Sequence, residues 1–257
     1  MKRYLIFVIA ISLIYVAGGI SYAGEYKFSY KLDHGDVLMA KEASEMRSSV
    51  MGTESVTRTK RTVRYKVSKG PKKGWVKMSA EVLSQVNQMD KEPANRQNTL
   101  KGMVFVASVH KSGEVRDYKF SGGDPQIAQY VGPAMKYAIF RFPEFPETAL
   151  DIGDEFDVVQ KMEMPGMQGI GGMKATTKLT YTLEDVNKGL AYFSVRSRTS
   201  MEGSGMEMKD AGKSEAIFDM KEGMWIEHET RSKSQIAAGF GSGGYTVNVS
   251  KMEIEKK

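Results

Sequence analysis

Residues able to bind or react are few in this chain, and they are scattered. His34, His110 and His228 are the only imidazoles. The first two sit beside turn signals, and His228 is flanked by Glu227 and Glu229. A metal site needs several converging ligands, and no His-Glu-x-x-His run occurs, so each reads as a satisfied or solvent-facing histidine. No Gly-x-Ser-x-Gly elbow occurs either. Asp36 and Asp154 are the carboxylates that acid–base chemistry would recruit as a pair. Both follow a glycine in a turn, where aspartate bonds its own backbone, and that local role accounts for them. Gly239-Phe240-Gly241-Ser242-Gly243-Gly244 matches the dinucleotide string, but a strand pattern follows where a pyrophosphate needs a helix N-terminus. It reads as a flexible loop.

Methionine is the oddity of the composition, with 18 residues. Met162, Met164, Met167 and Met173 frame a Pro- and Gly-containing hairpin tip, and Met201, Met206 and Met208 fall on the neighbouring strand. Thioethers favour Cu(I); they also fill irregular cores and adaptable binding surfaces. Copper, an apolar contact surface and plain packing all remain open from the sequence. The absence of cysteine excludes disulfides, thiolate catalysis and thiolate metal sites. No motif calls for a cofactor, and the chain reads as non-enzymatic.

The elements that must position these residues are strands, laid down twice. Leu32-Asp33-His34-Gly35-Asp36 recurs as Leu150-Asp151-Ile152-Gly153-Asp154. Val63, Tyr65 and Val67 answer to Leu179, Tyr181 and Leu183; Val76, Met78 and Ala80 answer to Ala191, Phe193 and Val195. The offset falls from 118 at Gly35/Gly153 to 110 at Gly113/Gly223, with each step in a loop or turn, where deletions are tolerated. Residues 24–140 form repeat one and 141–257 repeat two. Period-two alternation marks strands at Tyr26–Leu32, Val37–Met51, Arg58–Val67, Trp75–Gln88, Met103–Val109 and Val115–Phe120. A last strand runs from Tyr245 to Glu255, and its apolar parity changes near Lys251, where a β-bulge would restore one buried face. Asp124-Pro125 opens the one helix, over 124–138, as an N-cap followed by proline. Phe140 to Pro146 is a connector, because its prolines cannot donate to a ladder.

The expected fold is therefore all-β and mainly antiparallel, with two meanders joined in one curved sheet or half-barrel and a helix over its concave side. The inward aromatic and thioether residues Tyr65, Met78, Tyr130, Tyr137, Tyr181 and Phe193 would line a ligand site there.

The first residues point to export. Lys2 and Arg3 precede an apolar run from Tyr4 to Val16, and Ser21-Tyr22-Ala23 places small residues where a signal peptidase reads. Gly18-Gly19 interrupts the run short of the roughly 20 apolar residues a spanning helix needs. Cleavage near Ala23 would release a chain without a stable membrane span into the periplasm or medium. The formal charge of +6 falls to +4 without Lys2 and Arg3. Much of the excess lies between Arg58 and Lys77, alternating with apolar residues as on a solvated sheet face. Nucleic acid is not an expected partner of an exported chain.

Tyr30-Lys31-Leu32 with Gly35-Asp36, Phe145-Pro146 leading to Leu150 and Gly153-Asp154, and Phe218-Asp219 with Gly223 resemble an exported bacterial family known as domain of unknown function 6263. The resemblance implies an envelope protein and brings no reaction. At the level of fold alone, a curved sheet with a helix on its concave side is similar to the periplasmic lipoprotein carriers. The expectation is a periplasmic binding or carrier protein for a lipid or other apolar ligand, or for a hydrophobic partner segment. The alternative is a structural or scaffolding protein with an envelope protein as partner and no small ligand.

Overall fold

The alternation of Val63, Tyr65 and Val67 with charged neighbours, and its counterparts along the chain, resolves into strands. A computed structural model describes residues 24–50, 53–90, 100–123, 135–164, 173–203, 206–238 and 244–257. The strands are β1 (Val37–Val50), β2 (Thr53–Lys69), β3 (Trp75–Met89), β4 (Val104–His110) and β5 (Val115–Ser121). After a long connector come β6 (Glu155–Met164), β7 (Met173–Asn187), β8 (Leu190–Gly203), β9 (Met206–Asp219), β10 (Met224–Ala238) and β11 (Gly244–Lys256). They form one open antiparallel sheet in the order β5-β4-β3-β2-β1-β11-β10-β9-β8-β7-β6.

β1–β5 and β6–β10 are thus laid down in the same spatial sense, with β11 between them. Both β1 and β10 pair antiparallel with β11, so they point the same way and could not themselves pair antiparallel. The last strand supplies the reversed ladder that joins the two runs.

The sheet curls strongly. In a flat sheet β4 and β10 would lie five strand spacings apart, roughly 24 Å. Yet the amide of Tyr30 donates to Lys111 O at the β4–β5 loop, and the next amide, Lys31, donates to Gly223 O at the β9–β10 loop. Adjacent Cα atoms are about 3.8 Å apart, so curvature must bring the two loops together.

Residues 24–36 act as a strap across this end. The alternation read as a strand at Tyr26–Leu32 is real as burial, since Phe28 and Tyr30 point inward. Its backbone does not join the ladder, and the expectation of a strand is corrected. Tyr26 makes an isolated bridge to Leu150, and the following amides cap loops. Period two marks any extended segment with one buried side, not only a sheet member. The expected bulge near Lys251 is also absent, because the β11 register with β1 and β10 is unbroken there. Instead Met252 is buried on the inner face with Ser250, and Tyr245 and Val249 are exposed on the outer face.

Two apolar clusters fill the strap end of the concave side. One centres on Leu38, Val63, Tyr65, Met78, Val82, Phe105 and Ile139. The other holds Phe28, Tyr30, Phe145, Phe156, Tyr181, Phe193, Phe218 and Trp225. Leu32 and Phe142 pack against both. The connector passes over them and is helical at residues 135–139. The terminal helix carbonyls would lack intrahelical partners. Here Ala138 O accepts from Arg61 and Arg141, and Ile139 O accepts from the Tyr65 hydroxyl at 2.8 Å. The expected helix start at Asp124-Pro125, and Tyr130 with it, lie outside the described residues.

Candidate functional site

Followed away from the strap, the inner face changes from apolar to polar in strand after strand, the boundary stepping by about one row from β11 to β8 and again to β7. On β8 it runs Ala191, Phe193 and Val195, then Ser197 and Thr199; on β7 it runs Leu183, Tyr181 and Leu179, then Thr177. On β11 it runs Met252, then Ser250 and Asn248. The hydroxyls bond one another across the ladder: Thr177 Oγ1 lies 2.9 Å from Thr199 Oγ1, and Ser214 Oγ donates to Thr230 Oγ1 at 3.0 Å. Such a surface tolerates water and offers donors and acceptors, where the first half of each strand offers only apolar area.

A hollow of about 260 Å³ straddles this boundary beneath the connector. Leu179, Tyr181, Val195 and Trp225 form its apolar end. Thr177, Ser197, Thr199, Ser232 and Asn248 form the polar end, and Tyr137, Arg141 and Pro143 of the connector overhang it. A wider depression of about 580 Å³ lies on the opposite face between Arg196, Lys213, Glu215, Glu229 and Arg231. Two of its charges are paired locally, Arg231 on Glu229 at 3.2 Å and Arg196 on Glu155 at 2.6 Å.

Beside the hollow, four polar side chains converge from three strands and the connector, with Arg141 and His228 lining it directly. Glu42 on β1 accepts from Arg61 on β2 and, at 2.7 Å, from Arg141 on the connector. Burial alone would raise the Glu42 carboxyl, but the Arg141 and Arg61 guanidiniums outweigh it and hold it below the usual carboxylate range. His228 sits two strands away in the same lateral row, opposite Met252, which in turn lies opposite Glu42. Burial, with the Arg141 charge added, pushes His228 down to about 4, so its imidazole is neutral at pH 7. Its Nδ1 lies 3.2 Å from Thr230 Oγ1.

The residues expected from sequence to line a site are spread between the hollow and the filled clusters, and Tyr181 belongs to both. Tyr137 and Tyr181 line the hollow. Met78, Tyr65 and Phe193 are packed into the filled clusters; Tyr65 spends its hydroxyl on the helix end, and its burial pushes the phenol up to about 12. Asp36 and Asp154 behave as turn residues: their Oδ2 atoms accept the amides of Asp33 and Asp151 at 2.8 and 2.9 Å. His110 Nδ1 lies 2.9 Å from Ser112 Oγ, and its ring lies against Trp75. Met162, Ala175 and Met201 adjoin in one lateral row of β6, β7 and β8; the intervening tip at 165–172 and the glycine loop at 239–243 lie outside the described residues. Among the described residues no three His, Asp or Glu side chains gather as a metal site would require.

Sequence reasoning missed Glu42 and Arg141, and read Arg61 only as part of a basic run. The signal was there: Glu42 shares parity with Leu38 and Ala40, and Arg61 with Val63 and Tyr65. A charge on the buried parity of two adjoining strands marks a polar cluster facing inward.

No family model matches the chain, and no curated protein matches it. Among solved structures it is similar to lipovitellin, from a study titled for lipid–protein interactions, with a TM-score of 0.54 and 7% identity over 88% of this chain. The match spans only 25% of the lipovitellin chain, so the likeness is one of fold. The β domain of the Bordetella autotransporter BrkA aligns over 86% of this chain and 99% of its own, at TM-score 0.43 and 9% identity.

Proposed function

We propose that the protein is an exported, non-enzymatic binding protein that holds an amphipathic small molecule in the hollow beneath the connector. The observation that carries this reading is the change from apolar to hydroxyl-bearing side chains within one hollow. Ligand pockets combine apolar walls with a few convergent polar groups, and a molecule with a greasy end and a polar end matches that division. The lipovitellin-like curl of the sheet supports a lipid-like ligand at the level of fold.

The outer face bears on where the protein works. Lys178–Asp157, Lys251–Glu227 and Lys41–Glu255 pairs stud it at 2.8, 3.3 and 3.7 Å. A charge facing lipid at the bilayer midplane costs about 2–4 kcal/mol, so this face belongs in water. No helix among the described residues is long and apolar enough to cross a membrane.

Native mass spectrometry of the full chain purified from its own host tests the reading. A co-purifying amphiphile is expected, and Ser197→Leu, which fills the hollow from its floor, is expected to release it while the protein stays folded. A protein that emerges empty, and that takes up none of decanol, decanoate and decyl phosphate in titration, would end the proposal.

A second reading, a scaffold that engages an envelope partner by strand addition, is favoured by β6. It is an edge strand of ten residues, contains no proline, and carries Val159 at 54% exposure; such edges template pairing. Photo-crosslinking from position 159 would capture a partner strand if this reading holds.

A further inference from the structure

We infer that the hollow recognises the anionic end of its ligand, a carboxylate or a phosphate monoester on an apolar chain, through Arg141. The inference rests on the hollow being a binding site, and it names the ligand class.

Arg61 and Arg141 share a single carboxylate, that of Glu42, and His228 beside them is neutral at pH 7. The cluster therefore carries one positive charge without a counter-charge among its members. Its side chains are largely withdrawn from water, at 10% exposure for Arg61, 14% for Glu42 and 27% for Arg141. Arg61 Nε is buried with no hydrogen-bond partner among the described residues. Buried charge is costly unless paired, so this arrangement leaves an electrostatic demand that an incoming anion would satisfy.

Position makes Arg141 the contact. It lines the hollow, and Arg61 stands behind it. A guanidinium has five N–H donors in a fork suited to a carboxylate or phosphate. Among the described residues Arg141 donates Nη2–H to Glu42 and Nε–H to Ala138 O, which leaves donors for a ligand. The apolar chain would then lie against the Leu179, Val195 and Trp225 walls of the hollow.

Isothermal titration of the full chain with decanoate, decyl phosphate, decanol and inorganic phosphate tests this. The unaltered protein should bind decanoate and decyl phosphate at least about tenfold more tightly than decanol, the contribution of one charge-assisted hydrogen bond. Arg141→Gln should reduce that ratio to near one. Glu42→Gln should move it the other way, because the cluster then carries two uncompensated charges. Equal binding of decanoate and decanol, or an undiminished preference in Arg141→Gln, overturns anion recognition and leaves the hollow as an uncharged site. Inorganic phosphate binding as tightly as decyl phosphate overturns the amphiphile and makes this a free-phosphate site. If no decyl compound binds, the proposed function falls with the inference.

Discussion

The indole N–H of Trp225 donates to the hydroxyl of Tyr30 at 2.7 Å, across 195 positions of sequence. The same hydroxyl donates to Pro143 O at 3.2 Å. One buried oxygen thereby ties strap, connector and β10 together, and burial pushes the Tyr30 phenol well above its usual range. Tyr30→Phe would leave a buried indole N–H and a buried carbonyl unpaired. Each such loss costs about 1–3 kcal/mol, so urea unfolding should show a loss of at least about 2 kcal/mol. A loss within a few tenths would mean the strap is held by apolar packing alone.

Gly113 and Gly223 occupy matching places in the β4–β5 and β9–β10 loops, with φ of 104° and 62°. A Cβ on Gly113 would lie 2.3 Å from Pro143 O, and one on Gly223 would lie 2.6 Å from Lys31 N. Alanine at either site combines overpacking, about 1–3 kcal/mol, with left-handed backbone strain, about 1–2 kcal/mol. Thermal unfolding of Gly113→Ala and Gly223→Ala should both fall by several degrees or more. If Gly223→Ala melts with the unaltered protein, the strap does not clamp the β9–β10 loop; if Gly113→Ala does, the connector does not press on the β4–β5 loop.

Much of this was legible in the residues. Tyr65 on β2 and Tyr181 on β7, paired by sequence likeness, are both buried on the inner face, one in each apolar cluster, and the all-β class followed from alternation alone. The Leu-x-x-Gly-Asp turns carry the same internal aspartate bonds in both halves. The strap escaped because an extended segment with a buried side has a strand's periodicity without a strand's ladder. The Glu42–Arg61–Arg141 cluster escaped because its members lie far apart in the chain, Glu42 and Arg141 by 99 positions. Only the β1–β2 register and the connector's path bring them together.

The division of the inner face should also divide the dynamics. Amides whose side chains sit in a filled cluster open rarely, whereas those over a water-tolerant surface open locally. Hydrogen exchange on β7 and β8 should therefore protect Leu183 and Phe193 more strongly than Thr177 and Thr199, by about tenfold or more. All four lie in the same continuous ladder, so backbone pairing alone predicts no such gradient. Uniform protection would show that the polar half is as tightly held as the core.

Stability should depend on pH through the same cluster that rims the hollow. His228 is held near 4 in the folded protein, against about 6.5 when unfolded. A depressed folded value means the unfolded chain takes up the proton first. The contribution of His228 is thus complete above about pH 6.5 and is lost as pH falls from there through 4, by no more than about 3 kcal/mol. Glu42, also depressed, contributes above its unfolded value of about 4.5 and loses that contribution as pH falls below it. Urea midpoints should therefore decline in two stages, first between pH 6.5 and 4.5, then below 4.5. His228→Gln should flatten the first stage, whereas Glu42→Gln should weaken the second and deepen the first, because the Glu42 charge partly offsets the depression of His228. A variant of His228 that keeps the full decline above pH 4.5 would place the titrating group elsewhere in the chain.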